Sequence, residues 1–382
     1  MTRILLCTKR AMGGDGLYVA NLAKALADLG QGEVHLLTSS NTEKSIGNIL
    51  NQSDVRLHRD LALGKVSAAT VRDYLRWHLA NYRHLYRLLK RIRFDIIHLQ
   101  FGLHFTDWIV PMIGRRLGVP VLMTVHDVTP HRWTFQKLSR LERWVLRKRY
   151  GTFSHLIVHT HEGRQELVQD YGIEGAKATV IPHAIECNDI VLPAERNRSI
   201  CLIGGLRRNK GIVQGIEGFQ ILMEDAKEEW TLVIRGKAQD GQFLGEIEAA
   251  IAQAPDAIDF REGYLEEGEF RAILSRAMFC LLPYTEFHSQ SGVAAMAIGY
   301  CVPCIAVGAG GLSELVADGK TGFLIEDGSR EGIARAIGQA ISSLGTYPGM
   351  VANLQLVRNR YSWPTIARTH LQTYEKVVRD AK

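Results

Sequence analysis

The sequence predicts an α/β protein built from two doubly wound, parallel-sheet domains in tandem. Three observations lead there. At 382 residues the chain exceeds the roughly 250 to 300 residues at which a single hydrophobic core stops growing. Short apolar runs alternate with segments of helical period almost throughout, the pattern of strands buried on both faces between covering helices. The pattern breaks over Glu186 to Arg198, where Asn188, Pro193, Asn197 and charges of both signs show no clear period, and then starts again.

Taken in order, Ile4 to Thr8 reads as a strand, Leu17 to Leu29 as a helix and Val34 to Thr38 as a strand. A long helix is expected up to about Arg93. Strands follow at Ile96 to Leu99, Val121 to Val125 and Leu156 to Val158, and the first unit closes near Ile181-Pro182. Beyond the linker, Ile200 to Ile203, Thr231 to Ile234, Phe279 to Leu282 and Pro303 to Val307 read as strands, each leading through a turn into a helical segment. A ligand of such an architecture belongs outside the carboxyl ends of the strands and, with two domains, in the cleft between them.

Composition narrows the class. The hydrophobic fraction of 46% and charged fraction of 23% are globular, and 10 Pro and 36 Gly are too few and too unperiodic for a disordered or collagenous chain. Six cysteines, Cys7, Cys187, Cys201, Cys280, Cys301 and Cys304, lie mostly in apolar runs and read as reduced, buried thiols. Cys301 and Cys304 form a CxxC without the second pair a zinc site needs, so packing is the expectation. No apolar run reaches the roughly 18 residues of a spanning helix, and the start MTRILLCTK enters a strand pattern directly. The expected place is the cytoplasm, in solution or peripheral to the inner face of the cell membrane.

The net charge of +6 is uneven. Through Ile185 there are 26 Lys+Arg against 15 Asp+Glu, and afterwards 20 against 25, so the halves carry +11 and −5. The basic residues concentrate in Val71 to Arg93 and His131 to Tyr150, with aromatics interleaved. In the second stretch Leu138, Leu141, Trp144 and Val145 recur at helical spacing beside Arg140, Arg143, Arg147 and Lys148. Two readings stay open: a core-packed helix with a solvated face, or contact with an anionic membrane. Nucleic acid is disfavoured, because no nucleic-acid module accompanies the charge.

Three glycine turns carry the chemistry. Gly13, Gly14 and Gly16 follow the first strand and let the backbone approach a ligand at a helix start, although GxGxxG is absent. Gly204-Gly205-Leu206-Arg207-Arg208-Asn209-Lys210-Gly211 follows the strand Ile200 to Ile203, and its three cations in four positions would repel one another without an anion such as a phosphate. Pro283-Tyr284-Thr285-Glu286-Phe287-His288-Ser289-Gln290 ends a strand, after which Ser291-Gly292-Val293 opens an alanine-rich helix whose free N–H groups suit a diphosphate. A further glycine turn, Gly308 to Gly311, runs into a helix carrying Glu314.

The run PYTEFHSQSGVAAMAIGYCVPCIAVGAGGLSELVADGKTGFLI, Pro283 to Ile325, resembles the C-terminal signature of the retaining glycosyltransferases of family 4, which have the GT-B fold. GGDGLYVANLAKALADLG, DIIHLQF, TVHD, VIPHAIE, LIGGLRRNKG and YSWPTIARTHLQTY agree with that family in order and spacing, over nearly the whole chain. The resemblance implies two Rossmann-like domains facing each other across a cleft. The acceptor-binding one spans 1–186 with a crossing helix 364–382, and the nucleotide-sugar domain spans 187–363. It implies that Lys210 and a nearby arginine neutralise the diphosphate. The family's usual arginine is Gly205 here, so its role passes to Arg207. It places His126 against the donor sugar, Glu286 as the sugar-side carboxylate, and Gly13, Gly14 and His288 on the sugar-side loops. Gly205, Ser291, Gly292, Val293 and Glu314 fall at the nucleotide, with helix capping an equal reading for Glu314. The family's paired glutamates are broken: alignment on Pro303 puts His288 at the first and Met296 at the second, which leaves ribose recognition unassigned.

The function so implied is transfer of a hexose, most readily from a UDP-sugar, to a glycan or lipid-linked acceptor in surface polysaccharide synthesis. No cofactor and no metal are called for, since no Asp-rich metal pair sits at a strand end. The competing readings are a GT-B sugar-nucleotide epimerase, a non-catalytic sugar-nucleotide-binding protein and a nicotinamide oxidoreductase, the last disfavoured by the missing fingerprint.

Overall fold

A computed structural model describes residues 1–8, 13–39, 44–61, 71–100, 107–129, 139–185, 190–193, 195–223, 229–253, 255–285 and 291–381. The chain divides into two compact units, Met1–Pro182 with Trp363–Lys382, and His183–Ser362.

The first unit is built from β1 (Thr2–Cys7), α1 (Gly13–Asp28), β2 (Gly32–Ser39), α2 (Lys44–Asn51), β3 (Arg56–Leu61), α3 (Val71–Arg91), β4 (Ile96–Leu99), α4 (Ile109–Leu117), β5 (Val121–Val125), α5 (Ser139–Tyr150), β6 (His155–Val158), α6 (His161–Gln169) and β7 (Ala178–Val180). Its strands run in the order β3-β2-β1-β4-β5-β6-β7, every pairing parallel. Both faces are covered, which is why β4, β5 and β6 are buried along their whole length and read in sequence as continuous apolar runs.

The second unit comprises β8 (Asn197–Ile203), α7 (Ile212–Met223), β9 (Thr231–Gly236), α8 (Gly241–Ile251), β10 (Ile258–Glu262), α9 (Glu267–Arg276), β11 (Ala277–Leu282), α10 (Gly292–Gly299), β12 (Cys304–Val307), α11 (Gly311–Leu315), β13 (Gly322–Ile325), α12 (Arg330–Ser342) and α13 (Tyr347–Arg360). Its sheet, β10-β9-β8-β11-β12-β13, is again all parallel. One apolar layer gathers Ile216, Phe219, Phe279 and Ile337, the other Val293, Ala297, Ile298 and Leu312. Cys7, Cys201, Cys280, Cys301 and Cys304 are buried and form no disulfide; Cys187 lies outside the described residues.

The last helix, α14 (Trp363–Asp380), belongs to the first unit and packs on α1. Trp363 sets its ring 5.4 Å from that of Tyr18, and Tyr374, fully buried, shares a 2.6 Å hydrogen bond with His98 Nδ1. The division falls at 182/183 where 186/187 was expected, because the Ile185 N–H donates to the Tyr361 carbonyl at 2.8 Å and Ile185 is buried in the second unit's core. The crossing helix starts at Trp363 rather than 364.

Other boundaries differ as well. The long helix expected before Arg93 is two helices separated by β3, and α1 starts at Gly13 rather than Leu17, so Gly13 and Gly14 are its first residues. Glycine tolerates that position because a helix start leaves its N–H groups free and asks for no side chain. In each unit the strand order reverses beside the first strand, between β1 and β4 and between β8 and β11. In open parallel sheets such a reversal point is where a ligand is expected to bind.

Candidate functional site

The second unit brings Gly205, Arg207, Lys210, Ser291, Gly292 and Val293 together at that reversal point. β8 ends at Ile203, and Gly204, Gly205 and Leu206 lead into the short turn Arg208–Lys210. Gly211 closes the turn at φ +62°, where a Cβ would stand 1.9 Å from the Pro283 carbonyl oxygen. Only glycine fits, and the close approach lays the cationic turn against the end of β11. The Thr285 N–H donates to the Asn209 carbonyl at 3.0 Å and fixes the same contact from the other side.

The three cations separate. Arg208 pairs with Glu246 of α8 and stacks over Phe243 at 4.7 Å, so its charge is spent within the unit and the three-cation cradle reduces to two. Among the described residues, neither Arg207 nor Lys210 has an ion-pair partner. Arg207 is exposed, and its Nε lies 3.7 Å from the point a Cβ on Gly205 would occupy. The Arg207 side chain therefore reaches the space where a side chain at 205 would begin. Lys210 is half-buried with its Nζ 5.0 Å over the Tyr284 ring. Burial first, and the Arg207 charge second, hold its amine below the ordinary lysine range.

Tyr284 carries the arrangement on. Its buried hydroxyl shares a 3.0 Å hydrogen bond with Ser291 Oγ, and Ser291 caps α10 by accepting from the Ala294 N–H at 3.2 Å. With the Ala295 N–H given to the Ser291 carbonyl, Gly292 and Val293 supply the helix's leading donors. Among the described residues nothing lies within 4 Å of where a Cβ on Gly292 would stand, and Val293 packs against Gly204, a Cβ on which would lie 3.1 Å from its Cγ2. Arg207, Lys210 and the positive end of α10 thus converge on one sheet end, an arrangement that holds a diphosphate and stabilises it as a leaving group.

Glu314 is half-buried in α11, which starts after Gly310 at φ +53°. Its charge adds a small part to the raised phenol of Tyr361, whose main cause is burial. Met296 is partly buried against the unit's core. Glu286 and His288 lie outside the described residues.

In the first unit, His126 follows β5 directly. Its Nε2 lies 3.1 Å from the Gln100 carbonyl oxygen and its Nδ1 lies 3.0 Å from His159 Nε2, while Tyr18 stands edge-on to its ring at 5.4 Å. Both ring nitrogens are engaged within the unit. The residues that sequence reasoning passed over are Tyr284 and His159. Tyr284 sat inside a quoted motif without a role. The signal for His159 was the repeated Val-His pair ending two successive strands, Val125-His126 and Val158-His159.

Two doubly wound parallel sheets, with a pair of cations and an open helix start at the reversal point of the second, make the architecture of a GT-B protein. Residues 12–189 match the model of Glycosyltransferase Family 4 and residues 197–343 that of Glycosyl transferases group 1. The chain belongs to glycosyltransferase family 4, and it is a transferase that uses a nucleotide sugar. It is 24% identical over 309 residues to the alpha-maltose-1-phosphate synthase of Mycolicibacterium smegmatis, covering 72% of this chain and 78% of that protein. To the glycogen synthase of Mycobacterium tuberculosis it is 25% identical over 384 residues, 95% of this chain and 91% of the relative. Among solved structures, a glycosyltransferase from Rickettsia africae superposes with a TM-score of 0.77 at 16% identity, covering 99% of both chains. Anabaena Alr3699/HepE in complex with UDP-glucose gives 0.73 at 17% identity, covering 98% of this chain and all of that one.

Proposed function

We propose that this chain transfers a hexosyl group from a UDP-sugar such as UDP-glucose to a glycan or lipid-linked saccharide, with retention and without a divalent metal, in surface polysaccharide synthesis. The observation that carries the reading is the pair Arg207 and Lys210, two cations with no ion-pair partner among the described residues, beside the leading amides of α10. The bond between the anomeric carbon and the diphosphate breaks, and negative charge gathers on the departing oxygens. Arg207, Lys210 and the Gly292 and Val293 N–H groups stabilise that charge in place of a metal. The acceptor oxygen bonds to the anomeric carbon from the same face, and its proton passes to the leaving phosphate oxygen. Glu286 keeps the sugar-side role that the family resemblance gives it. A uridine nucleotide accords with the UDP and UDP-glucose complexes of HepE, and a surface glycan with the lipopolysaccharide galactosyltransferase WaaB among the structural neighbours.

The test is thermal unfolding against UDP, GDP, ADP, CDP, dTDP and NAD, each with and without EDTA, followed by transfer assays with sugars of the responding nucleotide. A ligand at 100 times its Kd adds about 2.7 kcal/mol to the folded state. At roughly 2 to 4 °C per kcal/mol this is an easily read shift. UDP alone should raise Tm, unaffected by EDTA. A response to GDP or ADP instead would remove the uridine donor, and EDTA sensitivity would remove the metal-free mechanism.

The acceptor side suits a lipid-linked substrate. No helix among the described residues is long and apolar enough to cross a membrane. Yet Leu79 of α3, Trp108 and Met112 at α4, and Leu141 and Trp144 of α5 are exposed by 42 to 66%. They are flanked by exposed Arg83, Arg116, Arg143 and Arg147. Large apolar side chains set among cations are the chemistry of an interfacial contact with anionic lipid. Co-sedimentation with vesicles containing an anionic phospholipid should be strong at low salt and weaker at high salt; absence of binding at low salt would discard the membrane contact.

A further inference from the structure

Val125 of β5 and Val158 of β6 are register partners, so the next residue of each strand, His126 and His159, comes to lie side by side with ring centroids 4.7 Å apart. His159 Nδ1 is 2.9 Å from the Ile181 carbonyl oxygen, and His126 Nε2 is 3.1 Å from the Gln100 carbonyl oxygen. A carbonyl only accepts, so both outer nitrogens carry hydrogen. The inner nitrogens, His159 Nε2 and His126 Nδ1, face each other at 3.0 Å. If both rings were neutral, each would have spent its one hydrogen outward and two lone pairs would meet at hydrogen-bond distance. A third proton between them turns that repulsion into a charge-assisted hydrogen bond.

We propose that His126 and His159 form a proton-sharing pair carrying one positive charge, with His159 the positioning residue that holds His126 as an imidazolium at the carboxyl end of β5. Its bearing on transfer rests on the nucleotide-sugar reading above; the pairing itself does not. The consequence is a change of role. With both nitrogens of His126 already bonded, it stands as a fixed positive charge at the carboxyl end of β5, and not as a base. Among the described residues, these neighbours of the pair leave the proton there. Tyr18 from α1 stands edge-on to both rings at 5.4 and 5.5 Å. His98 of β4 is fully buried and kept neutral mainly by that burial, so it does not compete for the proton. Trp363 of α14 carries no charge, and Asp127, next in the chain, is exposed.

The experiment uses the full chain labelled with 15N and imidazole-nitrogen spectra at neutral pH, assigned with His126→Phe and His159→Phe. The expected spectrum has two fully protonated nitrogens and two of intermediate character, coupled to each other across the shared proton. One protonated and one bare nitrogen on each ring would overturn the pairing. With the sugar nucleotide that supports transfer, His159→Phe and His159→Gln should lower kcat roughly 10- to 100-fold, as loss of an imidazole-orienting partner does elsewhere. The donor KM should change little. The wild-type rate falls as pH rises and the shared proton leaves; in both variants that fall begins at lower pH, because a lone imidazole holds its proton less well. Variants that melt like wild type and keep both kcat and the pH profile would end the positioning role even if the spectra show the pair. Failure of the wild type to transfer from any nucleotide sugar would strike the function reading while the spectra still decide the pair.

Discussion

Replacing Lys210 by Ala is expected to lower kcat/KM for sugar transfer by roughly 100- to 1000-fold, the scale seen when one preorganised donor to a developing oxyanion is removed. The reason is local. Lys210 is half-buried over the Tyr284 ring, and among the described residues it has no ion-pair partner. Its amine is less basic than an ordinary lysine because burial and then Arg207 penalise the charged form. A bound diphosphate reverses that penalty, since the opposite charge favours protonation. The sign of the pH dependence follows. The free protein loses the Lys210 proton at a pH below the ordinary lysine range, so affinity for the nucleoside diphosphate should fall as pH rises through that lowered range. Titration calorimetry over rising pH should show this fall in wild type and none in Lys210→Ala, whose affinity is already reduced. Lys210→Arg, which keeps a charge that does not titrate there, should restore part of the affinity and remove the alkaline fall. Unchanged transfer by Lys210→Ala would take the diphosphate away from this turn.

The fold was legible in the sequence to the extent that burial made it so. Among the described residues, the nine interior strands of the two sheets were all read from their apolar runs, because a strand covered on both faces has few polar positions. The four strands passed over, β3, β7, β10 and β13, are the four sheet edges. β3 reads RLHRDL and β10 reads IDFRE, with charged side chains where an edge meets water. Those sequences carry no continuous run, and β7 has only three residues. The site was legible as separate motifs and not as an arrangement. Turn composition pointed to Arg207, Arg208 and Lys210 alike, but Glu246, 38 residues away from Arg208, decides which cation stays available. His126 was found through its motif, whereas His159 emerges only from the register that sets β6 against β5.

The exchange of an arginine between positions 205 and 207 offers a sharper test than a single deletion. Arg207→Ala should cost roughly 100-fold in kcat/KM, toward the lower end of the range for one such donor because Lys210 and the α10 amides remain. In that background Gly205→Arg should recover most of the loss. Among the described residues, a Cβ on Gly205 meets nothing within 4 Å except Arg207 Nε, at 3.7 Å. Once Arg207 is truncated, that space is open to a new side chain starting two residues earlier and ending in the same guanidinium. Gly205→Arg alone should do worse than the double variant, since two guanidinium groups would then crowd one place and repel each other. The interaction energy from this cycle is therefore expected to be favourable, which two independent contributions could not produce. A double variant that melts like wild type yet stays as slow as Arg207→Ala would show that the charge at 207 acts somewhere other than the space above Gly205, and would leave Lys210 and the start of α10 as the only donors at the diphosphate.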